Sequence, residues 1–227
     1  MIEITHNLTT LRARITKAAI AAGRDPETIR LIAVSKLQPI EKIRDLHAAK
    51  LRDFGENYVQ EAVEKQMNLP NDICWHFIGR LQSNKCKTVA KHFSWIHSVD
   101  RINIAERLHH YRADSKSPLN VCIQVKQSGQ QSKSGVNVSD LKSMCAQIAD
   151  LPHLKLRGLM TLPEPTTDLK QQINAYEFVV NAFQALQKVY NLDTLSLGSS
   201  NDFETAIAMG STMVRIGTEL FGPRSTN

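Results

Sequence analysis

Three features of this 227-residue chain have the residue types and positions that chemistry needs. Lys36 closes the β-rich run IRLIAVSK at 29–36, just ahead of Pro39. Arg215 sits inside a second β-rich run, TMVRIGT at 212–218, and two glycine-containing turns, GSSND and IGTELFG, lie near the end of the sequence. Alternation along a strand places Lys36 on one face with Val34 and Ile32, and Leu31, Ala33 and Ser35 on the other. A lysine drawn into an apolar rim loses preference for its charged form, and a neutral amine is the form that condenses with a carbonyl to a Schiff base. The competing reading is a solvated lysine at a strand end. Arg215 shares a face with Met213 and Gly217, so it either presents a guanidinium to a ligand or forms a structural ion pair with Glu204 or another carboxylate. The two turns place Ser199, Ser200, Gly217 and Thr218 where backbone N–H groups could cradle a phosphate, with ordinary turn chemistry as the alternative.

Other polar residues fall near strand ends. Glu56 and Asn57 end LRDFGEN at 51–57. His76 alternates with Ile78 in CWHFIG at 74–79, and reads either as a ligand contact or as a satisfied core histidine. In LQSNK, Ser83 has the position of a helix N-cap, so capping competes with function there.

The elements that must hold these residues alternate regularly. Ile4, Leu8, Leu11, Ile15 and Ala19 are spaced for a leading amphipathic helix that closes near Gly23. Eight strand candidates follow: 29–36, 51–57, 74–79, 93–100, 120–126, 154–160, 194–200 and 212–218, with helical patterns between them and a long helix at about 168–190. Strands alternating with helices form parallel sheets, and eight units predict a single (β/α)8 barrel of the TIM type with an additional N-terminal helix. An open doubly wound sheet is the structural alternative. No linker composition interrupts the pattern, so one domain over residues 1–227 is expected. In such barrels functional groups collect at the carboxyl ends of the strands, where Lys36, Asn57, Ser199, Ser200, Gly217 and Thr218 all fall.

Composition excludes several classes. Hydrophobic residues at 42% and charged residues at 22% are ordinary for a globular domain. A net charge of +6 comes from 28 basic and 22 acidic residues that interleave without a basic run, so no nucleic-acid partner is expected. Cys74, Cys86, Cys122 and Cys145 have neither C-x-x-C nor zinc-finger spacing, so reduced thiols and no metal site are expected. No apolar segment reads as a signal peptide or a membrane span, which predicts a soluble cytoplasmic protein with no membrane partner.

Taken in order, AVSK at 33–36, FGENYVQE at 54–61, WHFIGRLQSNK at 75–85, SKSG at 132–135, RGLM at 157–160, LSLGSSNDFETAI at 195–207 and GSTMVRIGTELFGPR at 210–224 resemble one family. It is the pyridoxal phosphate homeostasis protein family, related to the N-terminal barrel of alanine racemase. The resemblance implies pyridoxal 5'-phosphate as the cofactor, bound as an internal aldimine on Lys36. It implies that Asn57 and His76 line the cofactor and that Met160 packs near it. It also implies that Ser200, Gly217 and Thr218, with Ser199, hold the phosphate and that Arg215 faces the pyridine nitrogen. It further implies a non-catalytic monomer that buffers the vitamin or delivers it transiently to apo-enzymes dependent on it.

An arginine at the pyridine nitrogen does not protonate the ring, which makes the cofactor a poor electron sink. Racemase-like proton transfer needs a second base, which racemases of this type take from a tyrosine on a further β-rich domain that is not expected here. Among Tyr58, Tyr111, Tyr176 and Tyr190, only Tyr58 falls near a strand terminus, and it keeps a small racemase-like enzyme as the alternative. A sugar-phosphate barrel without the vitamin is a third reading. The loop QVKQSGQQSKSG departs from the family pattern, leaving the roles of Lys126 and Lys133 open.

Overall fold

The computed structural model describes residues 2–126 and 134–222. Lys133 lies outside the described residues. The leading helix α1 (Ile2–Ala21) buries Ile4, Leu8, Leu11, Ile15 and Ala19, the stripe its spacing predicts. Gly23 then takes the left-handed conformation that ends the segment. The eight strands are β1 (Arg30–Val34), β2 (Asp53–Glu56), β3 (Cys74–Phe77), β4 (Trp95–Val99), β5 (Leu119–Gln124), β6 (Leu154–Met160), β7 (Thr194–Ser196) and β8 (Met213–Ile216). All pair in parallel, each with its sequence neighbour, and β1 pairs with β8. The sheet is therefore a closed barrel, and the open alternative is excluded.

Helices α2 (Ile40–Ala48), α3 (Val59–Met67), α4 (Cys86–His92), α5 (Ile102–Arg112), α6 (Leu141–Ala149), α7 (Leu169–Tyr190), α8 (Phe203–Ala208) and α9 (Thr218–Phe221) connect or follow the strands. Asp168 caps α7 by accepting from the Gln171 N–H, and Asn191 ends it in the left-handed conformation. Helix α1 packs on α8, α9 and α2, and Arg14 reaches Glu204 and Glu219. The extra helix thus covers the seam where β8 meets β1.

Strand alternation sorts the apolar residues into two cores. Leu31, Ala33, Val214 and Ile216 face outward into the large core beneath the helices. Ile32 and Met213 face inward, where they meet Trp95, Cys122 and Met160. The strands end earlier than their composition predicts: β1 stops at Val34 because residues 35–38 turn, and β7 stops at Ser196 ahead of Gly198, whose φ is +90°. Among the described residues, no helix is long and apolar enough to cross a membrane.

Candidate functional site

At the carboxyl end of the barrel lies a cavity of about 430 Å³, within the size range of small-molecule sites. Lys36, Asn57, Ser199, Ser200, Arg215, Gly217 and Thr218 all line it, brought from four strand ends. Val34, Ile78 and Leu162 supply apolar wall. His76 and Met160 do not line it; both are fully buried in the barrel interior.

Arg215 is buried, and its guanidinium donates to Ser196 Oγ at 2.5 Å and to the Thr161 carbonyl at 3.0 Å. The ion pair with Glu204 does not form, because Glu204 lies outside the barrel on Arg14. From Arg215 a hydrogen-bonded chain runs down through the barrel. Ser196 Oγ lies 2.8 Å from His97 Nδ1, His97 Nε2 lies 3.0 Å from His76 Nδ1, and His76 Nε2 lies 2.9 Å from Asp53 Oδ1. Donor and acceptor capacity fixes the direction of the two end links. Arginine can only donate and an ionised carboxylate can only accept, so Ser196 accepts from Arg215 and His76 donates to Asp53; with both histidines neutral, as their burial favours, His97 donates to His76 and Ser196 donates to His97. In that arrangement each histidine carries its proton on Nε2, and Ser196 is held with a lone pair toward Arg215.

Burial pushes His76 below the ordinary histidine range and His97 well below it, against the Asp53 carboxylate that favours His76 in its charged form. A folded pKa below the unfolded one contributes stability that is present above about pH 6.5 and lost as the pH falls. We therefore expect unfolding free energy to drop between pH 6.5 and 5, by as much as about 1.4 kcal/mol per pH unit for each histidine. Glu56, whose pKa is raised by burial, opposes this with at most one proton. Urea denaturation at several pH values measures the slope, and a stability that rises on acidification contradicts the neutral histidine pair.

Asp53, Cys74 and His76 lie close enough together to share a cation. The site is poorly suited to one. Arg30 already stands 3.6 Å from Asp53, and burial with the Asp53 charge raises the Cys74 thiol to about 12.

The residues expected from the two turns to cradle a phosphate, Ser199, Ser200, Gly217 and Thr218, all line the cavity, and Ser199 has a further partner. Both the Ser199 N–H and its hydroxyl donate to Asp202 Oδ1, at 2.6 and 2.8 Å, and the Tyr176 hydroxyl donates to Asp202 Oδ2 at 2.5 Å. Ser199 therefore shapes the GSSND turn through Asp202. A side chain at Gly198 would press within 2.8 Å of Ala206 Cβ, which keeps that turn close against α8. Ser200 lies on the cavity side, facing Gly217 and Thr218, which open α9. The first N–H groups of a helix have no partners within it, so this end of the cavity favours an anion.

Tyr58 is half exposed and belongs to a neighbouring cavity with Arg80, Lys85 and Arg101; the two cavities share Asn57. Tyr176 is committed to Asp202, and the Tyr190 hydroxyl reaches the Lys142 carbonyl on the helical layer. None of the four tyrosines is among the residues lining the Lys36 cavity. Glu56, read from sequence as a rim residue, points away from the cavity toward Lys65. Lys126 makes a backbone hydrogen bond to Val136 at the base of its loop.

His97, Ser196, Asp53 and Asp202 were not singled out by sequence reasoning. The inward register of His97 with Trp95 in FSWIHSVD is the one signal that could have found the first of them.

The model of the alanine racemase N-terminal domain matches residues 3–225. A curated relative from Pseudomonas aeruginosa, named pyridoxal phosphate homeostasis protein, is 51% identical and aligns over 99% of this chain and 97% of its own length. Its namesake in Escherichia coli K12 is 48% identical over 99% and 98%. Among solved structures, PipY of Synechococcus elongatus with pyridoxal phosphate bound superposes with a TM-score of 0.84 at 36% identity, covering 96% of this chain and all of that one. Alanine racemase of Clostridium difficile shares the fold, with a TM-score of 0.77 at 15% identity, and this chain spans 58% of it. The chain belongs to the alanine racemase N-terminal domain family and, within it, to the pyridoxal phosphate homeostasis proteins.

Proposed function

We propose that this protein binds pyridoxal 5'-phosphate in the Lys36 cavity and serves intracellular vitamin B6 homeostasis as a carrier, with no catalysis of its own. The observation that carries this reading is one cavity holding a lysine amine beside an arginine and a pair of phosphate-suited turns. Its residues fit the ligand group by group. Ser200, Gly217 and Thr218 would take the phosphate, with Ser199 shaping their partner turn through Asp202. Arg215 would face the pyridine nitrogen, oriented by Ser196, His97 and His76, and Asn57 would flank the ring. Met160 belongs to the apolar floor beneath. The ligand's aldehyde would condense with the Lys36 amine, a C=N bond forming as water leaves.

The name shared by the curated relatives supports a homeostatic role over an enzymatic one. So does the position of Tyr58, since a racemase needs a second base facing the same ligand atom as the lysine. We further propose that the protein is a cytoplasmic monomer of one barrel domain over residues 1–227, with apo-enzymes dependent on the vitamin as transient partners. Mixing the loaded protein with such an apo-enzyme is expected to restore that enzyme's activity, while the loaded protein alone leaves the optical rotation of L-alanine unchanged. Loss of rotation that disappears in Lys36→Ala would establish a racemase instead.

A further inference from the structure

Lys36 sits in a turn that the local sequence does not favour. The Gln38 N–H bonds to the Ser35 carbonyl at 3.0 Å, so Ser35–Gln38 is a β-turn with Lys36 at its second position and Leu37 at its third. Leu37 has φ +59°, a conformation that glycine or asparagine normally supplies. Its side chain is 61% exposed, so packing does not hold it there.

Polar contacts hold it instead. The Leu37 N–H donates to Glu61 Oε1 at 2.6 Å. Glu61 is fixed by Lys65, whose ammonium donates to Glu61 Oε1 at 2.6 Å, Glu56 Oε1 at 2.8 Å and the Ser35 carbonyl at 2.7 Å. Three donors meet three acceptors, which is the full capacity of an ammonium group. The Ser35 hydroxyl also donates to Glu56 Oε1 at 2.6 Å. Lys65, Glu56 and Ser35 are buried, and none of the network residues lines the Lys36 cavity. Both neighbours of Lys36 are therefore tied to a single cluster on the outer face of the barrel. A buried ion cluster costs desolvation, and Glu56 Oε2 is left without a partner. Backbone strain together with such a cost, placed around one functional lysine, indicates a device for orientation.

We infer that Lys65, with Glu56 and Glu61, is a positioning cluster that holds the Ser35–Gln38 turn so that the Lys36 amine faces the ligand's aldehyde. This rests on the reading of Lys36 given above. The test uses Glu61→Ala, which removes the Leu37 anchor near the surface, Lys65→Met, and Glu61→Ala combined with Leu37→Gly. Three quantities are measured: retention of pyridoxal phosphate, binding of pyridoxine 5'-phosphate, which lacks the aldehyde, and hydrogen exchange of the Leu37 amide in ligand-free protein.

Glu61→Ala is expected to weaken pyridoxal phosphate retention about tenfold, to change pyridoxine phosphate binding by less than about twofold, and to speed Leu37 exchange. Leu37→Gly is expected to recover most of the retention, because glycine adopts the turn without the anchor. Lys65→Met, where it folds, shows the same pattern with a larger loss. Equal losses for both ligands, unchanged retention, or no recovery with glycine would overturn the inference. Wild-type protein that captures no aldehyde at Lys36 would sink the functional reading instead, and Leu37 exchange still reports whether the anchor exists.

Discussion

Replacing Gly158 by alanine is expected to leave little folded protein. In β6 this glycine stands opposite Thr194 of β7, and a Cβ there would overlap the Thr194 carbonyl oxygen and come within 2.6 Å of its carbonyl carbon. Both obstacles are backbone, so no rotamer change relieves them. The strands would have to separate at the point where β6 already shifts register against β5, between Val121 and Cys122. Overpacking a core ordinarily costs about 1–3 kcal/mol, and a clash between strand backbones belongs beyond that range, at about 4 kcal/mol or more. Such a loss is a large part of a typical domain's stability. Soluble yield and the urea midpoint are the measurements, and a Gly158→Ala protein with the wild-type midpoint contradicts this packing.

The second large effect concerns the ligand. Lys36→Ala is expected to weaken retention of pyridoxal phosphate by about 100-fold or more, equivalent to about 2.7 kcal/mol, because the covalent link is lost while the anion-suited turns remain. Pyridoxine 5'-phosphate, which forms no such link, is expected to bind the variant and the wild type within about threefold of each other. Equilibrium dialysis of the two ligands against both proteins separates the contributions of lysine and turns. Parallel losses for both ligands would mean that Lys36 acts by charge or shape alone.

Much of this architecture is legible in the chain. Eight β-rich runs separated by helical patterns predict the barrel, and the outward or inward sense of Leu31, Ile32, Val214 and Arg215 follows from alternation. Strand ends are not legible, because hydrogen-bonded turns override β-rich composition: IRLIAVSK continues past Val34 in sequence but bends at Ser35, whose carbonyl accepts from the Gln38 N–H and from Lys65. Depth is not legible either. His76 faces inward as its register predicts, yet whether it meets a ligand or another histidine depends on His97, which arrives from a different strand. The chain from Asp53 to Arg215 draws on five strands and a single hydrogen bond at each link, so no local pattern announces it. The two hydrogen bonds from Ser199 to Asp202, three residues on, are not legible either, since they depend on how the GSSND turn folds. Lys65 reads as one more polar residue on a helix, and only the meeting of β1, β2 and α3 shows what it holds.

The central claim is that Lys36 captures the aldehyde of pyridoxal phosphate. Its most direct measurement is the visible spectrum of the protein with added ligand, before and after borohydride reduction, followed by peptide mass mapping. A yellow protein that bleaches on reduction and carries the reduced adduct on the peptide containing Lys36 is the predicted result. A colourless protein, or an adduct confined to other lysines, would contradict it.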